Sequence, residues 1–281
     1  MAKRNRDWTA AKIERRIKEG RGQGCGKDYK PWLTIHDVPS NGVVTRIKSW
    51  TVGRIHHTMS NFERSYFYMV DWSDRITDIR EQYPLLPIQR TIEIARELGI
   101  DHPKDPKTKE PIVLTTDFML TESNDTPFAR TLKHAGDMNI RTIEKLTIEQ
   151  RYYMELGINW RVVTDRELPR AFVLNVEWLH RSRLLEFAPQ EVNQKLIDIL
   201  APKLLFEIRK QNRPLSSITI EFDEKTGLSI GSSMFIVQHM LATKKWSTDM
   251  YKKINPSDSI HISVCDQKAN PETVNQSLQL G

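Results

Sequence analysis

Cysteine is nearly missing from this chain: Cys25 and Cys265 are the only two in 281 residues. They are too few and too far apart for a disulfide framework or a zinc site, so a reducing cytoplasm is the expected setting. No apolar run approaches the about 20 residues that cross a bilayer. The opening MAKRNRDWTAAK lacks the apolar core of a secretory signal, and no membrane partner is expected. The glycines at 20, 22, 24 and 26 match neither G-x-x-x-x-G-K-[ST] nor G-x-G-x-x-G, because Lys27 is followed by Asp28. Nucleotide binding at that run is excluded. Internal repeats and low-complexity tracts are absent as well.

What the chain does have is positive charge, unevenly spread. The formal charge is +6 and the pI about 9.2, which permits a nucleic-acid partner without requiring one. Ten of the first thirty residues are Lys or Arg, against four acids. Ala10 to Glu19 reads as a basic helix that the glycine run then stops. Such a segment suits an arm laid along phosphates, each neutralised phosphate adding affinity by counterion release. Arg15, Arg16, Arg21 and Lys27 are the expected DNA contacts, with His57 as a further phosphate contact or a simple surface residue. The alternative for the first dozen residues is a solvated tail.

The stretch Leu114 to Lys133, LTTDFMLTESNDTPFARTLK, reads as two short strands about a polar reversal at Glu122–Pro127. Alternation along a strand puts Thr115, Asp117 and Met119 on one face, and Thr131 and Lys133 on a common face of the second strand. Paired strands would bring Asp117 and Lys133 to one end of the sheet. A carboxylate there can hold a hard cation, and a lysine can steady attacking water or developing phosphate charge. Alone the pattern is weak, since Asp and Lys commonly cap strands. Ser60-Asn61-Phe62-Glu63 opens a helix with Phe62, Tyr66, Met69 and Val70 on its apolar face. Local sequence makes Glu63 a capping-box residue before it makes it a metal ligand.

The segments RRIKEGRGQGCGKDYKPWLTIHDVP, GRIHHTMSNFE, ITDIREQYPLLP, TTDF and FARTLK shift that balance. Together, from about Arg15 to Asp165, they resemble the TnsA family, the endonuclease subunits of heteromeric cut-and-paste DNA transposases. The resemblance implies an α/β, restriction-endonuclease-like mixed sheet flanked by helices. It implies Glu63, Asp117 and Lys133 as catalytic residues. Magnesium is the implied cofactor, as two ions about 4 Å apart, with manganese able to substitute. The implied ligands are Glu63, Asp117 and the backbone carbonyl of Leu132. Thr131 is a marginal fourth, a hydroxyl where family members commonly carry glutamine. The implied partners are transposon-end DNA, an integrase-type transposase subunit and an AAA+ ATPase regulator. A catalytically impaired DNA-bridging subunit and a stand-alone restriction enzyme are the competing readings.

The expected division is residues 1–168, catalytic, and 169–281, a winged-helix domain binding DNA or protein. In the second, helices are expected at Ala171–Arg183, Gln190–Ile199, Pro202–Lys210, Leu215–Phe222 and Ser229–Ala242. A strand pair, Ser247–Met250 with Ser259–Val264, would form the wing, with Lys244 and Lys245 in a basic fringe. The longer helix would enter a DNA groove or dock on protein.

Overall fold

The computed structural model describes residues 7–37 and 43–265. Lys3, Arg4 and Arg6, the turn expected at 39–42 and the tail expected from Asn270 lie outside these. The chain divides into two compact units, one ending at Leu168 and the other beginning at Pro169. No described helix is long and apolar enough to cross a membrane.

The first unit contains α1 (Ala10–Lys18), β1 (Thr45–Lys48), β2 (Ile55–Thr58), α2 (Asn61–Trp72), β3 (Ile76–Pro84), α3 (Ile88–Glu97), β4 (Thr115–Glu122), β5 (Pro127–Lys133), α4 (Ile140–Glu155) and β6 (Asn159–Thr164). β1 and β2 form an antiparallel hairpin of their own. The other four strands make a mixed sheet in the order β3-β4-β5-β6, antiparallel except for the parallel pair β5–β6. A parallel pair needs a crossover, and α4 supplies it. The turn between β4 and β5 works as its composition suggests: Asp125 takes φ +62°, and Asn124 accepts a hydrogen bond from the Thr126 N–H at 3.1 Å. α2 covers one face of the sheet, with the Tyr66 and Phe118 rings 5.4 Å apart. α3 and α4 cover the other, where Ile94, Ala95, Ile148 and Tyr153 pack with Leu85, Met119 and Ala129.

Strict alternation fails at one place in β4, and it is the place that matters. Thr116 bonds to Tyr153 and Glu149 of α4, yet Met119, three residues on, packs against the same helix. Odd and even positions should face opposite ways. On the neighbouring strand Gln82 stands opposite Asp117 with φ +48°, buried, while regular pairing resumes at Tyr83↔Thr116. A left-handed non-glycine residue costs on the order of 1–3 kcal/mol and gathers at functional sites. The twist frees Asp117 from the alternation that would have grouped it simply with Thr115 and Met119.

The basic arm is folded rather than extended. Thr9 caps α1, and Ile13 is buried with Trp32 and Val113. Arg16 is 2% exposed, packs against the Trp8 and Trp32 rings and pairs with Asp37 at 2.6 Å. Arg21 pairs with the same carboxylate at 2.9 Å. The glycine run is needed for close approach: a Cβ on Gly22, at φ +77°, would fall 2.2 Å from the Pro84 ring.

The second unit is mainly helical: α5 (Arg170–His180), α6 (Gln194–Lys210), α7 (Leu215–Thr226), α8 (Ser232–Ala242) and the strands β7 (Trp246–Ser247) and β8 (Ser263–Val264). Two of the expected helices are one. α6 runs through Pro202, because a continuous buried face from Ile197 to Ile208 outweighs the missing hydrogen bond. Nine of the eleven residues of α8 are buried, so it is the core helix of this unit and has no face to offer a DNA groove. The β7–β8 pair is two residues long on each side, shorter than expected. The reason is Asn175, whose side-chain amide takes the Met250 and Lys252 carbonyls at 2.9 and 2.7 Å and the Ile254 N–H at 2.8 Å. Those groups are spent on α5 rather than on a ladder.

Candidate active site

Three side chains converge where α2 begins, β4 twists and β5 ends. Asp117 is held from both sides. Its Oδ2 accepts the Leu132 N–H at 2.6 Å, and its Oδ1 accepts the Gln82 amide at 3.3 Å. Gln82 is in turn fixed by the Thr115 hydroxyl at 3.1 Å. Lys133 Nζ lies 4.0 Å from Asp117 Oδ2, long for an ion pair and open to a third group.

Glu63 is the capping-box residue that its sequence suggested. The Glu63 N–H donates to Ser60 Oγ at 3.0 Å, while its carboxylate takes the Met59 N–H at 2.9 Å and the Ser60 hydroxyl at 3.2 Å. The same carboxylate feels Asp117 and Lys133. Burial first, then the Asp117 charge, push the Glu63 carboxyl up to about 7, against the pull of its cap bonds and of Lys133. Two carboxylates thus act on one another, with the Lys133 ammonium 4.0 Å from one of them.

A hard divalent cation fits this arrangement. The donors are carboxylate oxygens, with the backbone of Leu132 alongside, and their mutual repulsion is what such an ion relieves. Among the described residues no group of three or more His, Cys, Asp or Glu side chains has metal-holding geometry. Backbone carbonyl, water or phosphate oxygens would complete the shell, as magnesium commonly accepts.

Beneath the corner lies a buried polar network that the residue pattern did not announce. Glu149 of α4 is 6% exposed and accepts hydrogen bonds from the Thr116 and Thr131 hydroxyls, the latter at 2.5 Å. Trp160 Nε1 donates to Thr131 Oγ1 at 3.1 Å. Burial pushes the Glu149 carboxyl up to about 7, and Asp117 adds to the shift. Thr131 therefore corrects the expectation of a fourth ligand: its hydroxyl is 2% exposed and already committed to Glu149 and Trp160. Nothing local marks Glu149; it sits at an ordinary helix position, with Arg151 and Glu155 pairing on the exposed side of α4.

Family models account for both units. One described as TnsA-like endonuclease N terminal matches residues 73–165, and one described as TnsA endonuclease C terminal matches residues 167–250. Transposon Tn7 transposition protein TnsA of Escherichia coli is 37% identical over 268 residues, covering 94% of this chain and 95% of its own length. This chain belongs to the TnsA endonuclease family. As a TnsA-type chain it is an endonuclease subunit of a transposase. The restriction-endonuclease-like fold expected of TnsA proteins agrees with the mixed sheet and its flanking helices. The N-terminal match takes in Asp117 and Lys133 but opens ten residues after Glu63, which is linked to them here by the charge of Asp117 and Lys133 acting on its carboxyl.

The expected DNA contacts divide sharply. Arg16 and Arg21 are corrected: both are occupied by Asp37 and by the Trp32 carbonyl, at 3.1 and 3.2 Å, and neither is free for phosphate. His57 is half-buried, and burial lowers its pKa, which disfavours a cationic contact. Arg15 and Lys27 are exposed. Lys244 and Lys245 are half-buried at the rim of a groove of about 620 Å³ in the second unit, with Ile197, Leu205 and Trp246 among its walls.

Proposed function

We propose that this chain is a magnesium-dependent DNA endonuclease subunit that hydrolyses the 5′ strand at each transposon end during cut-and-paste transposition. It would act in the cytoplasm beside an integrase-type transposase, which handles the other strand, and an AAA+ ATPase regulator. Its Escherichia coli relative, a transposition protein of Tn7, supports this setting. The observation that carries the chemistry is the corner where Lys133 Nζ stands 4.0 Å from Asp117 and both influence the buried Glu63.

In this reading Glu63 and Asp117 hold the ions, magnesium or manganese, with the Leu132 carbonyl as a further ligand. Bound there, the ions supply positive charge to the attacking and leaving oxygens of an in-line displacement. Lys133 Nζ orients the attacking water and donates hydrogen bonds to the phosphate as its charge grows. Gln82 and the Leu132 N–H fix the Asp117 carboxylate, so little reorganisation is left for the reaction itself. The unit from Pro169 onward is assigned to DNA or regulator contact, with Lys244 and Lys245 at its basic rim.

The test is nicking of transposon-end DNA by the full chain together with its transposase partner, with and without magnesium. Asp117→Ala is expected to reduce 5′-strand nicking by about 10³-fold or more. Undiminished nicking by that variant would overturn the site. Absence of nicking by the wild-type complex, with end binding retained, would favour the bridging subunit instead.

A further inference from the structure

We propose that Lys145 is a second phosphate-binding lysine of the nicking site, gripping the DNA backbone beside the scissile bond from the α4 side. The inference rests on the nuclease reading above and extends it to a residue on a different element.

α4 carries three cations, and two of them are accounted for. Arg141 pairs with Glu144 at 2.7 Å and donates to the Asp101 carbonyl at 2.8 Å. Arg151 pairs with Glu155 at 3.2 Å. Lys145 is exposed and makes no ion pair or hydrogen bond among the described residues. The sequence does provide a carboxylate at i+4, Glu149, although in the weaker Lys-before-Glu order. That carboxylate is turned inward onto Thr116 and Thr131, which leaves Lys145 without it.

Topology brings the unpaired ammonium to the site. α4 is the crossover between the parallel strands β5 and β6, so it runs antiparallel to β5. Glu149 sits on Thr131. One helical turn back from Glu149 is about 5.4 Å, and two residues onward from Thr131 is about 6.6 Å. Lys145 and Lys133 therefore come level at the same end of the sheet. The electrostatics agree: after burial, Arg141 and Lys133 are the causes that lower the Lys145 pKa. A lysine displayed for solubility would not be kept next to two cations and away from its carboxylate. Charges arranged this way suit an incoming polyanion, and at this corner the polyanion is the phosphodiester chain.

Lys145→Gln, Lys145→Arg and the wild type would be compared in two assays on the full chain. In metal-free buffer, binding to transposon-end duplex is followed from about 50 to 200 mM salt. Lys145→Gln is expected to lower the slope of log K against log salt by about one, with Lys145→Arg retaining it. In nicking with the transposase partner and magnesium, Lys145→Gln is expected to raise KM by roughly 3- to 10-fold while kcat stays within about twofold. An unchanged melting temperature would confirm that the exposed change is not acting through the fold. A wild-type slope and KM in Lys145→Gln would overturn the proposal. If the wild-type complex nicks nothing, the nuclease reading fails by itself, and the salt slope alone decides whether Lys145 holds DNA.

Discussion

Glu81 and the Glu63–Asp117 pair, both in the first unit, are opposites. Glu81, on β3, is sealed at 0% exposure. Arg54 holds it with two guanidinium nitrogens, one at 2.8 Å and the other closer, and His56 Nδ1 stands 2.8 Å away. The His57 N–H adds a bond at 3.2 Å. Burial would raise the Glu81 carboxyl, but His56 and Arg54 outweigh it and hold it well below the usual carboxylate range. At Glu63 and Asp117 the balance runs the other way, with two acids, one lysine at 4.0 Å and a carboxyl pushed up to about 7. A cluster that neutralises itself pins the β1–β2 hairpin to the sheet. A cluster left short of positive charge is the one that would gain from a cation.

The contrast breaks most easily at Asp117. Asp117→Ala should remove nicking, the effect of about 10³-fold given above, and also cost about 1–3 kcal/mol because the Leu132 N–H loses its acceptor. Glu81→Ala should do the reverse. Removing one partner of a sealed pair leaves the Arg54 charge uncompensated and should destabilise by about 3–5 kcal/mol in a denaturant titration. Nicking per folded molecule should stay within a few-fold. Lost nicking without lost stability would show that Glu81 belongs to the chemistry and that the division between the clusters is wrong.

The hairpin was readable because its cues are local. Alternating apolar residues, a polar reversal and an Asp and Lys at matching ends suffice to bring Asp117 and Lys133 together. Glu63 was half-readable: the capping box is real, while the charge of Asp117 that raises its carboxyl comes from a strand more than fifty residues away. Gln82 and Glu149 were not readable. A left-handed glutamine inside a strand contradicts propensity, and only the packed sheet holds it there. Glu149 and Thr131 explain one another, since the threonine hydroxyl is spent on a buried acid. The basic arm misled because charge counting ignores partners: Asp37 and two tryptophans, distant in sequence from Arg16, remove it from the surface. In the second unit, the near-total burial of α8 follows from its apolar composition, FIVQHMLA, which leaves no polar face for a groove.

Glu149 sharpens the comparison through pH. Its carboxyl is raised from 4.5 to about 7, so the folded state binds that proton more tightly than the unfolded state does. The resulting stability is fully present below about pH 4.5 and is lost as pH rises toward 7. Without metal, unfolding midpoints should therefore fall from pH 5 to pH 8 by an amount worth about 1–3 kcal/mol. Glu63, raised to about 7, contributes with the same sign. Glu149→Gln can still accept from Thr116 and Thr131 but has no proton to lose, and it should flatten about half of that slope. An unchanged slope in the variant would mean that Glu149 is ionised at every pH tested, and that the network beneath the site resembles the Glu81 cluster after all.

The smallest expected effect concerns the arm. Lys27 is exposed and makes no ion pair among the described residues. Its loop is nonetheless anchored to the sheet: the Gly26 N–H donates to Asp78 at 3.0 Å, and Arg54 Nε donates to the Gly26 carbonyl at 3.2 Å. Lys27 is thus a charge presented from a fixed place, unlike Arg16, which is consumed within the fold. Lys27→Gln should reduce the salt slope of DNA binding by at most about one and weaken binding severalfold, with no change in melting temperature. If the slope does not move, Lys27 only solvates the loop. The exposed Arg15, whose ion pair with Glu19 at 3.5 Å is long and weak, would then be the next residue of the arm to test.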